Sequence, residues 1–551
     1  MEERYRMIHY LRYCCAMFFA LFTFLLATPL SAQAQTREAY VSQSEDETTL
    51  TFYYDALRAT HTGTTWGIEE IKSVMFDGTF PEWAGTSQEV DKTTTRVVFD
   101  ASFRDFRPTT TAKWFFDCKA LKQIEGMEYL NTSEVKDMSG MFYGCSALTS
   151  LDLKHFNTKN VTHMGSLFAI CTALTSIDLK NFDTQNVTNM SNMFFNCVAL
   201  TSLDLKNFNT QNVTDMSGMF SYCWTLTSLD LKNFNTQNVT DMSWMFSDCS
   251  TLTSLDLKNF NTQNVTDMSR MFKNCSALTT LNLQNFNTQN VTDMSKMFWW
   301  CKALTSLDLK HFDTQNVTNM KGMFSCCKAL TPLNLKNFNT QNVTKMNNMF
   351  YSCEALTSVD LQHFNTQNVT DMSWMFKGCS GLTSLDLKNF DTQNVTDMSW
   401  MFYGCKALTS LDLKNFDTQN ITNMRKMFYD CKALTSLDLQ HFNTKKVTDM
   451  YEMFSGCAAL TTINSNTTWQ CPKSENMFAD CTKLKGAVAY DKNKVDAKMA
   501  NPETGYFTAK PTMVERNRPR AAHLPAASKR GARKHLPNGV QVVNGKKTVK
   551  P

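Results

Sequence analysis

The side chains with the most chemistry in this 551-residue sequence are its 19 cysteines. Thirteen of them, from Cys145 through Cys249 and Cys275 to Cys457, recur every 26 residues. Cys118 and Cys481 sit at approximate positions of the same ladder, and only Cys326 and Cys471 fall outside it once Cys14 and Cys15, near the N-terminus, are set aside. In an exported chain, cysteines in such number suggest a disulfide framework. One Cys per fixed period argues instead for a small apolar residue filling the same core site in every copy. Adjacent copies would stand ~5 Å apart, within reach of a bridge, and Cys471 with Cys481 forms a separate candidate pair.

The other reactive types do not assemble a centre. His155, His311, His363 and His441 share one slot, where other copies carry Asn. The nearest two, His311 and His363, would be about 10 Å apart, too far to share a metal through ~2 Å bonds. The Asn-Val-Thr triplets at Asn160, Asn186 and Asn212 match a glycosylation acceptor, yet helix N-capping explains them better. Asp183, Asp313, Asp391 and Asp417 replace Asn at one turn position, scattered rather than clustered for calcium. Asp204, Asp230 and Asp256 form a column beside Lys206, Lys232 and Lys258, so opposite charges offset each other. Regular columns do not make the paired carboxylates of a glycosidase cleft. The expectation is no catalytic residue, no cofactor and no metal.

Chemistry that differs between copies is aromatic and basic. The slot of Arg270 holds Gly218, Trp244, Lys296, Trp374 and Trp400 elsewhere, and the pair before the Cys varies from Phe195-Asn196 to Lys273-Asn274, Trp299-Trp300 and Tyr403-Gly404. Exposed aromatics in a polar stripe suit contact with a protein or a glycan. Trp244, Trp299, Trp300, Trp374, Trp400 and Tyr403 are therefore the candidate ligand contacts. The competing reading is that they pack over the helix ends of neighbouring copies.

Which elements would hold them is visible in one copy, Cys249 to Asn274. Leu252, Leu255 and Leu257 end in strand-like alternation, with Ser254, Asp256 and Lys258 facing away. After the turn-prone Asn261-Thr262-Gln263-Asn264, apolar residues fall at Val265, Met268, Met271, Phe272 and Cys275, offsets that lie on one helical face. Asn264 suits an N-cap and Asp267 the first-turn dipole. Each copy is thus expected to be a strand, a turn and a short helix. A single copy cannot bury its apolar face, so copies must stack. Thirteen copies at ~4.8 Å imply a rod about 60 Å long with a parallel sheet along one side.

The ends differ from the repeats. Residues 1–34 read as a signal peptide, with Arg4, Arg6 and Arg12 before an apolar run from Ala16 to Ala27 and small residues Ser31-Ala32-Gln33-Ala34. That run is short for a membrane span, and no other segment could form one. Residues 35–117, with strand-like runs Thr49–Tyr54 and Thr95–Phe99, read as an N-terminal cap region. The solenoid is assigned to 118–457, a degenerate repeat and C-terminal cap to 458–509, and a basic tail to 510–551. The formal charge is only +4, and the tail holds much of the basic excess, with Glu515 its single acid. A near-neutral body argues against a nucleic-acid partner.

The L-x-x-L-x-L core with a 26-residue period is a leucine-rich repeat by pattern. The form LTSLDLKNFNTQNVTDMSxMFxxC resembles the BspA-like leucine-rich repeat family of bacterial surface proteins over about residues 118–485. The expected fold class is an α/β solenoid: a right-handed leucine-rich-repeat coil with a parallel sheet on one side and short helices on the other, capped at both ends. The resemblance implies an exported protein at the cell surface or outside the cell. It further implies a non-enzymatic adhesin whose partners are host matrix proteins, surface glycans or other bacterial cells. The alternative is a structural or spacer protein of the envelope. Leu536 to Lys547 resembles the end of a Bacteroidetes C-terminal sorting signal, preceded here by a basic, strand-poor stretch.

Overall fold

The computed structural model describes residues 6–13, 17, 36–75, 78–510, 542–543 and 546–547, and divides into two units, Met1–Ala509 and Lys510–Pro551. Most of the signal-like segment and of the basic tail lie outside the described residues. Residues 6–13 are helical, and no described helix is long and apolar enough to cross a membrane.

In the first unit each 26-residue copy closes one coil. Leu252, Leu255, Leu257, Phe260, Val265, Met268, Met271, Phe272 and Cys275 all turn inward, none more than 3% exposed, while Ser254, Asp256 and Lys258 are exposed. Identical residues of successive coils stack in columns. Phe246, Phe272, Phe298 and Phe324 stand 5.7–5.8 Å apart and nearly parallel.

The expected short helix does not form. Residues 268–275 are instead a run of tight turns in which Arg270 and Asn274 are left-handed, with φ of 58° and 56°. Every N–H in the run has a partner. Those of Met268, Arg270, Phe272 and Asn274 donate to the carbonyls of Asp293, Ser295, Met297 and Trp299 in the next coil. Those of Met271, Lys273 and Cys275 donate three residues back, and that of Ser269 to the Asp267 carboxylate. An eight-residue helix would leave about four N–H and four C=O groups without intrahelical partners. A ladder between like coils leaves none, so stacking overrides the helical pattern. Asn264 is accordingly not an N-cap: its Nδ2 donates to the Gln237 carbonyl of the preceding coil.

The ladder runs through bridges such as Asp241 with Asp267 and Asp267 with Asp293, beginning at Thr110 with Asp137 and ending at Asp449 with Lys473. The L-x-x-L-x-L side is bonded less closely. Between successive repeats, regular parallel pairs occur there only between β8 (Ser254–Asp256) and β9 (Thr280–Asn282), and between β10 (Ser436–Asp438) and β11 (Thr462–Asn464), among the described residues. Coil spacing gives the reason. Rings in the Phe260 column stand 6.3–6.5 Å apart where they stack, as for Phe156 with Phe182 and Phe364 with Phe390. The coils are therefore closest along the turns and wider apart along the expected sheet.

At the N-terminal end, β1 (Glu38–Gln43), β2 (Thr49–Asp55), β3 (Thr65–Gly67), β6 (Arg96–Phe99) and β7 (Gln123–Glu125) form one sheet in the order β3-β1-β2-β6-β7. A hairpin of β4 (Ile71–Val74) and β5 (Gly78–Pro81) lies beside it in sequence. β7 holds the strand position of the first coil and pairs in parallel with β6, so this sheet continues into the stack. At the other end β12 (Phe507–Thr508) pairs with β11, and Trp469 packs between Phe442 and Phe507. In the second unit β13 (Val542–Val543) and β14 (Lys546–Lys547) pair antiparallel.

Every ladder cysteine is buried and present as a thiol. Cys275 Sγ lies 3.1 Å from the Phe246 carbonyl of the preceding coil, and the same contact repeats along the column. Burial pushes the Cys171 and Cys223 thiols up to about 12, which keeps them unreactive. Cys471 and Cys481 are not joined; their thiols face the carbonyls of Lys473 and Phe454. Thiol titration of denatured, unreduced protein is expected to find nearly all of these cysteines free. Blocked thiols there would overturn the core-filling role.

Candidate functional site

The turn ladder projects side chains outward from its left-handed positions. Two recur in each coil, four residues apart: Trp244 and Asp248, Arg270 and Asn274, Lys296 and Trp300, Trp374 and Gly378, Trp400 and Gly404. An L-residue in this conformation costs roughly 1–2 kcal/mol relative to Gly. Gly140, Gly218 and Gly322 fill the first position without that cost. Trp244, Trp374 and Trp400 fill it against the backbone preference, and Trp300 does so in the second. Trp300 is exposed and the other three are half-buried; strain retained for bulky side chains at the surface points to use of the side chains.

The six aromatics form two clusters rather than one stripe. In the C-terminal cluster Trp374 stacks on Trp400 at 5.0 Å, and Trp400 lies 4.9 Å from Tyr403. Lys377 sits among them, its Nζ 3.4 Å from the Trp374 ring, 4.0 Å from Trp400 and 4.9 Å from Tyr403. Burial, and next the Lys426 charge, pull this ammonium down to about 8. Lys426 pairs with Glu452 at 2.9 Å and lies over Trp400 at 4.7 Å.

The N-terminal cluster is looser. Trp299 and Trp300 stack at 5.2 Å, and Trp300 is 37% exposed. Trp244 reaches Trp299 only through Lys273, whose Nζ is 5.4 Å from both rings. Lys273 pairs with buried Asp248 at 2.8 Å, and the Arg270 guanidinium lies 4.6 Å over Trp244. Rings and cations thus cover one another across neighbouring coils, which agrees with the packing reading for much of their surface. Sequence reasoning missed Lys377, Tyr351 and Tyr429; the signal was their place in the variable slot of Lys273.

A concavity of about 370 Å³ opens on this edge, lined by Asn192, Phe195, Gly218, Ser221, Tyr222 and Trp244 among others. A larger cleft, about 520 Å³, lies between Trp469–Cys471 and Asp496–Lys498. The opposite, strand-side face is uniform. Except for Lys336, which follows Asn334, the Lys of this column pairs with the Asp two residues earlier, as Lys232 does with Asp230 at 3.1 Å and Lys258 with Asp256 at 3.4 Å. His155, His311, His363 and His441 are exposed. Among the described residues no three His, Cys, Asp or Glu converge as a metal-holding group. Asp313 and Asp391 accept from the N–H groups of Gln315 and Gln393, as Asn does in other coils.

A family model described as "Mycoplasma protein of unknown function, DUF285" matches residues 109–223, 195–307, 278–384, 301–411 and 371–492. No curated protein matches the chain. Among solved structures it is similar to a leucine-rich repeat protein from Bacteroides ovatus, at 18% identity, 86% of this chain, 98% of that one and a TM-score of 0.36. It is also similar to a leucine rich cell surface protein from Faecalibacterium prausnitzii, at 15% identity, 78% of this chain, 93% of that one and a TM-score of 0.28. A leucine-rich repeat protein from Eubacterium ventriosum is similar at 15% identity, 87% and 96% coverage and a TM-score of 0.23.

Proposed function

The chain belongs to the DUF285 family, and from that premise we propose that it is an exported, non-enzymatic binding protein, an adhesin acting through the variable edge of its turn ladder. One observation carries the reading: bulky aromatic side chains sit at left-handed positions that Gly fills at no cost in other coils. The invariant parts of each coil are consumed in stacking, so specificity is left to the few slots where coils differ. Export is supported by the basic, apolar and small-residue segments of residues 1–34. Host matrix proteins, surface glycans and other bacterial cells are the partners this edge would serve. The second reading, an envelope spacer, draws on the strand-side face, where Asp and Lys of the same coil neutralise each other in most coils.

The test compares the purified chain with a variant in which Trp244, Trp300, Trp374 and Trp400 become Gly and Trp299 becomes Ser. Other coils already carry Gly at the first left-handed slot (Gly218) and the second (Gly404), and Ser in the slot of Trp299 (Ser325), so the fold is kept. Binding to immobilised fibronectin, fibrinogen, collagen, host-cell glycans and whole bacteria is measured for both. Saturable binding by the parent, weakened at least ten-fold in the variant, is the expected result. Equal binding by both would exclude this edge; no binding to any of them would leave the spacer reading.

A further inference from the structure

We propose that the concavity in front of Trp244 is a subsite for one pyranose ring of a glycan, an inference that rests on the turn edge being the binding surface. Its volume of about 370 Å³ falls at the low end of small-ligand cavities, ~300–1,000 Å³. Gly218 leaves the first left-handed slot of its coil without a side chain, and the Asn192 carboxamide of the preceding coil stands where its Cβ would be. The ring in the next coil, Trp244, therefore has no ring stacked on it, whereas Trp374 covers Trp400 and Trp299 covers Trp300. Arg270 follows Trp244 in the column and covers the ring from that side. The side toward Gly218 faces the cavity, opposite Phe195 and Tyr222, which meet edge to face at 5.5 Å.

A second, independent observation lies in the lining. Ser221 is fully buried and its hydroxyl has no hydrogen-bond partner. Two serines of the same slot are paired: Ser247 donates to Asp248 at 2.6 Å and Ser325 to Cys326 Sγ at 3.8 Å. A buried hydroxyl left unpaired is costly, and a bound group that draws it out into the cavity and pairs with it recovers that cost. A pyranose fits both features, since its C–H faces stack on aromatic rings while its edge carries hydroxyls. An apolar peptide side chain would fill the space and leave Ser221 unpaired.

The experiment uses the full chain with cellotriose, maltotriose, lactose, N-acetylchitotriose and oligo-dT as probes, read by tryptophan fluorescence and saturation-transfer NMR. At least one saccharide is expected to bind saturably. A Cβ at position 218 would meet Asn192 Oδ1, so Gly218→Asn displaces the Asn192 carboxamide that lines the cavity and should weaken binding at least ten-fold. Trp244→Gly should do the same, and Ser221→Ala should weaken it about five-fold. Lys258→Gln, on the strand-side face where the next coil already carries Gln284, should leave it unchanged, and each variant must keep the parent melting temperature. Saccharide binding indifferent to Gly218→Asn and Trp244→Gly would overturn the subsite, as would oligo-dT binding in its place. If no saccharide binds while the edge captures a protein or a cell in the previous test, the subsite falls and the adhesin reading stands. If nothing binds in either test, both fall.

Discussion

Phe298→Ala is expected to destabilise the stack by about 3–5 kcal/mol, the ordinary range for deleting a fully buried aromatic ring. Phe298 is 0% exposed and lies between Phe272 at 5.7 Å and Phe324 at 5.8 Å, with planes within 7° of parallel. The space left behind is bounded by rings that the ladder fixes in place, so collapse into it is limited. Because each coil contacts mainly its neighbours, the loss should stay local at first. Hydrogen exchange is predicted to rise most in residues 268–325 and least near either end of the stack. Denaturant unfolding should shift to lower midpoint and broaden as the array loses cooperativity. Uniform acceleration of exchange along the whole stack would show that the coils fold as a single unit, contrary to the nearest-neighbour picture.

The same column explains how much of the fold could be read from the residues. The period, the inward Leu255 and Leu257, the buried Phe272 and the packing role of Cys275 all follow from spacing and apolar character. The helix over 265–275 did not, because offsets of 0, 3, 6, 7 and 10 serve a turn ladder as well as a helix. The distinguishing signal was present across copies. Gly140 with Gly144, Asn192 with Asn196, and Gly404 and Gly456 put poor helix formers at two fixed points of the segment. Read down the column, they mark left-handed positions.

The candidate site divides in the same way. Trp244, Trp299, Trp300, Trp374, Trp400 and Tyr403 stood out as variable aromatics within single copies. Their grouping depends on residues 26 positions away in sequence, so Lys377 among four rings and Lys273 between Trp244 and Trp299 were not legible from one copy. The cavity before Trp244 was still less so. It is lined by residues of three coils, among them Asn192, Gly218 and Trp244, and by Ser221, whose unpaired state is visible only against Ser247 and Ser325.

Thr262→Val should cost about 2–3 kcal/mol although it conserves shape and adds apolar surface. Thr262 is 0% exposed. Its hydroxyl donates to the Asn287 carbonyl at 2.8 Å and accepts from the Asn287 N–H at 2.8 Å, joining one coil to the next. Val removes both partners at once and leaves a donor and an acceptor of a half-buried residue unpaired, at ~1–3 kcal/mol each where burial is complete. The gained methyl offsets at most about 0.8 kcal/mol. Thr262→Ser deletes a methyl and keeps both hydrogen bonds, so its cost should be near 1 kcal/mol. The ordering is the decisive part. A core governed by apolar burial alone would tolerate Val better than Ser; a core in which coil-to-coil hydrogen bonds set the register would tolerate Ser better. Chemical denaturation of the two variants separates these outcomes, and Val as the more stable of the pair would reject the assigned role of the threonine column. The same hydroxyl exchange recurs at Thr184 and Thr210, and Thr236 donates likewise to the Asn261 carbonyl. A double replacement in adjacent coils, Thr236→Val with Thr262→Val, should therefore be non-additive, since both act on the coil that carries Asn261.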